Sequence, residues 1–270
     1  MSSAIEDHWD DQSKVTSLRS LLPDANISSY LCDDEANLKR FLRARKGDVH
    51  KALELLKTHS EWRKTACPNW PNSTIEYSLV ADECNSGKAW CFGFDRKGRP
   101  LCWVVVNKHL ATTDRKAVRD FTVFLIDEII ARCDAFGIEQ GSIVIDLNGF
   151  SSANSDVDAG GYMIECLSAN YPERMGRMLF LRESWLFSIA WKVISLFVDA
   201  RTANKISFLG HSFREKLLEE IDDEYVPTWL GGKSSYVYDP SHIKDASGPN
   251  PYLSVTRSVS QQGIGGAASL

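Results

Sequence analysis

Trp185-Leu186-Phe187-Ser188-Ile189-Ala190-Trp191-Lys192-Val193-Ile194-Ser195-Leu196-Phe197-Val198 is the longest apolar stretch of the chain. As a helix it leaves only Ser188, Lys192 and Ser195 to face water. It falls short of the roughly 20 uncharged apolar residues of a membrane span and is interrupted by Lys192. Either neighbours cover it on nearly every side, or one side meets something that is not protein. Short apolar runs at 178–181 and 206–209 flank it and read as strands, so strand, helix and strand follow one another as in a parallel sheet.

Working outward, residues 143–147 read as another buried strand and 155–170 as a polar helical region. Val118, Phe121, Leu125, Ile129 and Cys133 mark a long amphipathic helix, capped by Thr113 or Asp114 and ended by Gly137. Runs at 89–94 and 101–106 flank the turn Asp95-Arg96-Lys97-Gly98-Arg99-Pro100 and form a strand pair. Before them, Leu38, Phe41 and Leu42 belong to one helix, and Val49, Ala52, Leu53, Leu56 and Trp62 to a second, antiparallel one beyond Lys46-Gly47-Asp48. Leu18, Leu21 and Leu22, ahead of Pro23, suit a short helix, Pro68 and Pro71 a linker, and 213–221 a further helix. The expected fold is α/β: an N-terminal helical lobe (1–72), a largely parallel sheet flanked by helices (73–240) and a loose Ser/Gly/Pro-rich tail (241–270).

At 270 residues and 43% hydrophobic, the chain can bury a core without metal or disulfide staples. Its net charge of -5 leaves no global positive field for nucleic acid. Seven scattered cysteines without a Cys-x-x-Cys pair suit a reducing compartment, and the acidic start resembles neither a secretory signal nor a transit peptide. A cytoplasmic protein is expected, with no metal and no cofactor.

Four places carry candidate chemistry. Arg45 falls seven beyond Leu38, four beyond Phe41 and three beyond Leu42, on the apolar side of its helix, whereas Lys39, Arg43 and Lys46 share the outer face. A guanidinium there needs an internal carboxylate or a bound anion. Tyr171-Pro172-Glu173-Arg174-Met175-Gly176 puts a charged pair at a strand entrance, which is either a site or a solvated loop. Thr202 and Lys205 stand just before the next strand. Strand, Gly210-His211-Ser212 and helix have the layout of a hydrolase nucleophile elbow, but Arg214 stands where that elbow needs a small residue. Ser212 to Glu215 reads instead as a capping box.

Together, 37–46, 171–176, Lys205-Ile206-Ser207-Phe208-Leu209-Gly210 and Leu230-Gly231-Gly232 resemble, in order, the CRAL-TRIO lipid-binding family, nearest to its phosphatidylinositol/phosphatidylcholine transfer branch. The resemblance implies a hydrophobic cavity floored by the sheet, with the apolar helix (Trp185, Leu186, Phe187, Ile189, Trp191, Ile194, Phe197) as its lid. It further implies that Arg45, Lys46, Glu173, Thr202 and Lys205 meet a phosphatidylinositol headgroup, with Arg174 in support. The expected activity is lipid binding and transfer between membranes by a monomer that visits membrane surfaces transiently, with no bond made or broken. Gly141 and Ile143 replace the Ser and Thr that those relatives carry near a choline headgroup. Arg182-Glu183-Ser184 and Asp199-Ala200 replace the Asn-Ala-Pro and Asp-Pro around the lid. The competing readings are a carrier for a sterol, tocopherol or retinoid, a protein-interaction module and, least favoured, a hydrolase using Ser212.

Overall fold

The computed structural model describes residues 8–240 apart from 26, 28, 69, 71–74, 112 and 113. Pro71, Thr113 and the 241–270 tail therefore lie outside the described residues. The helical lobe is α1 (Gln12–Leu21), α2 (Ser29–Asp33), α3 (Glu35–Ala44) and α4 (Val49–Ala66). Asp11, Asp34 and Asp48 cap α1, α3 and α4 by accepting hydrogen bonds from Lys14, Ala36 and Lys51 N–H. Leu18, Leu38, Phe41, Leu42 and Leu56 interlock as their core. The chain reverses between α3 and α4 through two left-handed residues, Lys46 (φ 53°) and Gly47 (φ 76°). Gly47 N–H donates to the Leu42 carbonyl at 2.8 Å. A Cβ on Gly47 would lie 2.9 Å from the Trp9 carbonyl, so the close approach also requires glycine.

The second lobe begins with α5 (Tyr77–Asn85) and continues through β1 (Ala89–Phe94), β2 (Pro100–Val105), α6 (Arg115–Ala135), β3 (Gly141–Asp146) and α7 (Val157–Glu165). It ends with β4 (Met175–Leu181), α8 (Trp185–Ile194), α9 (Ala200–Ala203), β5 (Ile206–Phe208) and α10 (Arg214–Glu220). The sheet runs β1-β2-β3-β4-β5, antiparallel at β1/β2 and parallel elsewhere. Asp95 organises the β1–β2 turn: its carboxylate accepts from Lys97 N–H, Arg99 N–H and Arg99 Nε, and from Ser142 Oγ on β3. Asp114 caps α6, and Gly137 follows its end at φ 65°.

Strand alternation assigns two cores to the two sheet faces. Cys102, Ile143, Ile145, Met178 and Phe180 face α6, α7 and α8. Trp103, Val144, Leu179 and Leu181 pack with Leu217 and Ile221 at α10 and with Val226 and Leu230 beyond it. The lobes are joined by Arg63 of α4, which donates to both carboxylate oxygens of Asp127 on α6 at 3.0 and 2.9 Å. Tyr171 Oη donates to the same carboxylate at 2.7 Å, and the guanidinium lies 4.8–5.0 Å from the Trp62, Trp70 and Tyr171 rings.

Two local expectations are corrected, and one helix is added. Helix α5 lacks a side-chain cap and was not evident from its pattern; Val80 and Cys84 hold it against α6. The 155–170 region is not simply polar, because Ile164, Cys166 and Leu167 enter the core and 166–170 form a π-helical turn. Ser212 makes no capping box: Phe213, drawn into the core, is the N-cap residue of α10 and no side chain bonds there. Ser212 therefore sits one position too early to reach the helix N–H groups.

Candidate functional site: an apolar cavity beneath α8

Ser184 caps α8 by accepting from Phe187 N–H at 3.3 Å. The helix ends at Ile194 and tightens into a 3₁₀ turn over Ser195–Phe197, so the lid is a helix of ten residues with a turn rather than a continuous helix to Val198. Phe187, Ala190 and Ile194 point inward and are buried, with Trp191 and Leu186 half-buried. Phe187 and Trp191 stand 5.4 and 5.2 Å from the Phe180 ring on β4. The opposite side is also apolar yet open: Trp185 is 76% exposed, Ile189 54%, Val193 47% and Leu196 80%, with Phe197 exposed beside them.

Under α8 lies a cavity of about 190 Å³. Its floor includes Cys102, Ile143 and Phe180, its walls Ile126, Ile129 and Met163, and its roof the inner face of α8. Two glycines of α7 let the roof descend. A Cβ on Gly160 would meet Ile194 Cδ1 at 2.8 Å, and one on Gly161 would meet Phe197 Cε2 at 3.1 Å. Gly141 is similarly filled, its Cβ position lying 2.5 Å from Ile129 Cδ1, and Ile143 is buried. The place resembling a choline subsite is therefore apolar.

Polar joints hold both ends of α8. At the entry, Arg182 adopts φ 59°, pairs through Nε with Asp146 Oδ1 at 2.9 Å and through Nη2 with Oδ2, and lies 5.5 Å from the Phe213 ring. Glu183 Oε2 accepts from Gly210 N–H at 3.1 Å. At the exit, Asp199 caps α9 by accepting from Arg201 and Thr202 N–H.

Glu173, Thr202 and Lys205 are brought together at the N-terminal edge of β4 and β5. Glu173, at φ 61°, pairs with Lys205 Nζ at 3.6 Å and with Arg201 Nη1 at 3.1 Å. Its carbonyl accepts from Gln140 Nε2 at 3.1 Å. Thr202 is buried and its hydroxyl donates to Asp199 Oδ2 at 3.1 Å. Arg201 reaches across to α3, donating to the Arg43 carbonyl and lying 5.3 Å from the Trp9 ring. Sequence reasoning missed Arg201; its only signal was a position one residue before Thr202. Arg43, expected on an outer face, instead pairs with Asp10 at 2.6 Å and with Glu139.

Arg45 is not the buried arginine of α3. It is the half-exposed C-cap residue, its Nη1 donating to the Ala44 carbonyl at 3.1 Å, and it pairs with no carboxylate among the described residues. Arg40 is the buried one, with Asp34 at 3.4 Å and Asn37 at 3.3 Å, and burial lowers its pKa. Lys46 is exposed. Among the described residues no ion pair or hydrogen bond joins Arg45 or Lys46 to Glu173, Thr202 or Lys205, although the α3 end carrying them stands beside Arg201 through the Arg43 carbonyl. Arg174 borders the cavity while paired with Asp134 at 2.8 Å and donating to the Glu139 carbonyl at 3.2 Å.

Ser212 is exposed and has no hydrogen bond to a histidine or carboxylate among the described residues. No helix among them is long and apolar enough to cross a membrane. Comparison with known proteins matches residues 84–232 to the CRAL/TRIO domain and 17–58 to the CRAL/TRIO N-terminal domain. The chain is 30% identical to "Phosphatidylinositol transfer protein CSR1" of Eremothecium gossypii over 82% of its length and 52% of that protein's. It is 30% identical to "SEC14 cytosolic factor" of Candida glabrata, covering 80% of this chain and 76% of that one. It thus spans about half of some relatives and about three-quarters of others. Among solved structures, that of Sfh5 superposes with a TM-score of 0.57 at 14% identity, covering 75% of this chain and 81% of that chain, which supports the fold. Cavity, apolar roof and helical lobe coincide with the matched segments, and the chain belongs to the CRAL/TRIO domain family.

Proposed function

We propose that the chain binds one phospholipid, phosphatidylinositol, and carries it between membranes, with α8 as the moving cover. The observation supporting this reading is that α8 is apolar on both sides, closing an apolar cavity with one and meeting solvent with the other. Each buried lipid CH₂ is worth about 0.8 kcal/mol, so a carrier must hide acyl chains fully and then release them. The cavity of about 190 Å³ is smaller than the about 300–1,000 Å³ of pockets that enclose drug-sized ligands. Two acyl chains therefore enter as α8 moves outward, its exposed stripe entering the membrane interface.

The headgroup is assigned to the Glu173 cluster. Glu173 accepts hydrogen bonds from inositol hydroxyls, while Lys205, with Arg45 and Lys46 from α3, meets the phosphate by charge-assisted bonds. Thr202 shapes the site through its bond to Asp199, and Arg174 supports it through Asp134. Arg201 joins the set because it already shares Glu173. The name of the Eremothecium gossypii relative favours the inositol lipid, and the apolar surroundings of Gly141 and Ile143 disfavour choline. The protein works as a cytoplasmic monomer, needs no cofactor and catalyses no reaction.

Native mass spectrometry after incubation with mixed phospholipid vesicles tests this. The wild type should retain phosphatidylinositol, and Lys205→Ala with Arg45→Ala should lose it about tenfold or more while keeping other lipids. A wild type that takes up other lipids but never an inositol lipid overturns the assignment.

A further inference from the structure

Besides Arg174, which is paired with Asp134, the cavity wall has a charged corner far from the Glu173 cluster. Lys88 directly precedes β1, His109 follows β2, and Asp156 caps α7, so all three gather at the C-terminal edge of the parallel strands. Glu173 and Lys205 stand at the opposite, N-terminal edge. Lys88, His109 and Asp156 all border the cavity. Lys88 is buried, pairs through Nζ with Glu83 on α5, contacts His109 Nδ1 at 2.9 Å and lies 5.3 Å from the Phe121 ring. His109 Nε2 meets Asp156 Oδ2 at 3.3 Å, and Asp156 Oδ1 accepts from Ala159 N–H at 2.9 Å. Asn154 Nδ2 donates to the His109 carbonyl at 2.6 Å and fixes that loop.

The bonding roles follow from the partners. An ammonium only donates, so His109 Nδ1 accepts and the ring proton sits on Nε2, donating to Asp156. Burial, and then the Lys88 charge, hold the His109 pKa below its ordinary value and keep the ring neutral. With those roles filled, Lys88 retains one N–H without an acceptor among the described residues, and each Asp156 oxygen retains a lone pair. The corner holds two carboxylates and one ammonium, which repels a phosphate. A cationic headgroup offers no acceptor to the remaining Lys88 N–H. A hydroxyl is the group that both accepts from Lys88 and donates to Asp156.

We infer that this corner is a second polar subsite of the cavity, for a neutral lipid whose polar end is a hydroxyl. It rests on the reading of the cavity as a lipid site. The two cargoes lie in opposite senses, one with its polar end toward Glu173 and the other toward His109. Apart from Arg174 and Thr122, which already have partners, the remaining walls are largely apolar and reject unsatisfied polarity elsewhere.

The test uses the full chain and a matched ligand pair, hexadecanol and its methyl ether, offered with phosphatidylinositol and read by native mass spectrometry. The ether accepts a hydrogen bond but cannot donate one. The wild type should retain the alcohol over the ether by about tenfold or more. Lys88→Met, which keeps the apolar stem, should reduce that preference to near parity without lowering phosphatidylinositol uptake. Equal retention of alcohol and ether by the wild type overturns the corner whatever the variant does, because the comparison is made on one folded protein. Phosphatidylinositol uptake with no alcohol preference sinks the corner alone. Alcohol preference without phosphatidylinositol supports the corner and sinks the inositol assignment.

Discussion

Helices α8 and α10 cover opposite faces of one sheet and do so differently. Beneath α10 the packing is solid: Leu217 and Ile221, with Val226 beyond the helix, are fully buried. The exposed side of α10 carries Arg214, Glu215, Lys216 and Glu219. Beneath α8 a cavity remains, and its exposed side carries Trp185, Ile189 and Val193. An amphipathic helix with a charged outer face is a permanent wall. A helix apolar on both sides is stable against water only as a compromise, which fits a wall that exchanges solvent for membrane.

The comparison breaks most readily on the outer stripe. Fully burying an aliphatic side chain is worth about 1.5–3 kcal/mol, so Ile189→Ser with Leu196→Ser should weaken vesicle binding by up to about 3–6 kcal/mol. Surface substitutions of this kind change folding stability by about 0.5 kcal/mol or less each. Vesicle sedimentation beside urea unfolding reads both quantities, and undiminished vesicle binding removes the membrane role of the stripe. The solid face should respond in the opposite way. Leu217→Ala should cost about 2–5 kcal/mol in urea unfolding and leave the vesicle affinity of the folded protein unchanged. A cost below about 1 kcal/mol would show that the α10 face is as loosely filled as the α8 face.

The smallest effect sharpens the contrast by adding the lobe joint. His59 is buried among Phe41, Trp62, Trp70 and Tyr171, and burial, then the Arg63 charge, push its pKa down to about 3. Its folded pKa lies below the unfolded value near 6.5. Between those values the unfolded chain binds a proton that the folded chain refuses, so stability is full above about pH 6.5 and falls as the pH drops. At pH 5 the loss should be about 2 kcal/mol. His59→Gln should flatten that slope in urea titrations at several pH values, and an unchanged slope assigns the acid loss to other groups.

Much of this molecule was legible in one dimension. Alternating strand and helix periods around 178–209 located the parallel sheet, and the excess apolarity of 185–198 identified the helix whose environment must differ. Glu173, Thr202 and Lys205 each stood out at a strand entrance, and the family resemblance grouped them; a parallel sheet places those entrances along one edge. The Arg45 error has a local cause. Projecting α3 as a continuous helix put Arg45 on its buried side, but the helix ends at Ala44 and Lys46 turns left-handed, so the buried cation is Arg40. The packing of α3 against the second lobe, near Arg174 and Glu139, made that side an interior.

By itself, the sequence determined the strands and the helices other than α5, which helix carries excess apolar residues and which residues punctuate the turns, because these follow from side-chain period and local backbone preference. Only the tertiary structure decided that Arg201 shares Glu173, that Asp127 gathers Arg63 and Tyr171, and that Lys88, His109 and Asp156 meet at the cavity wall. Those contacts join residues from 21 to 64 positions apart. Their distances depend on how elements stack on the sheet, and no local period carries that information.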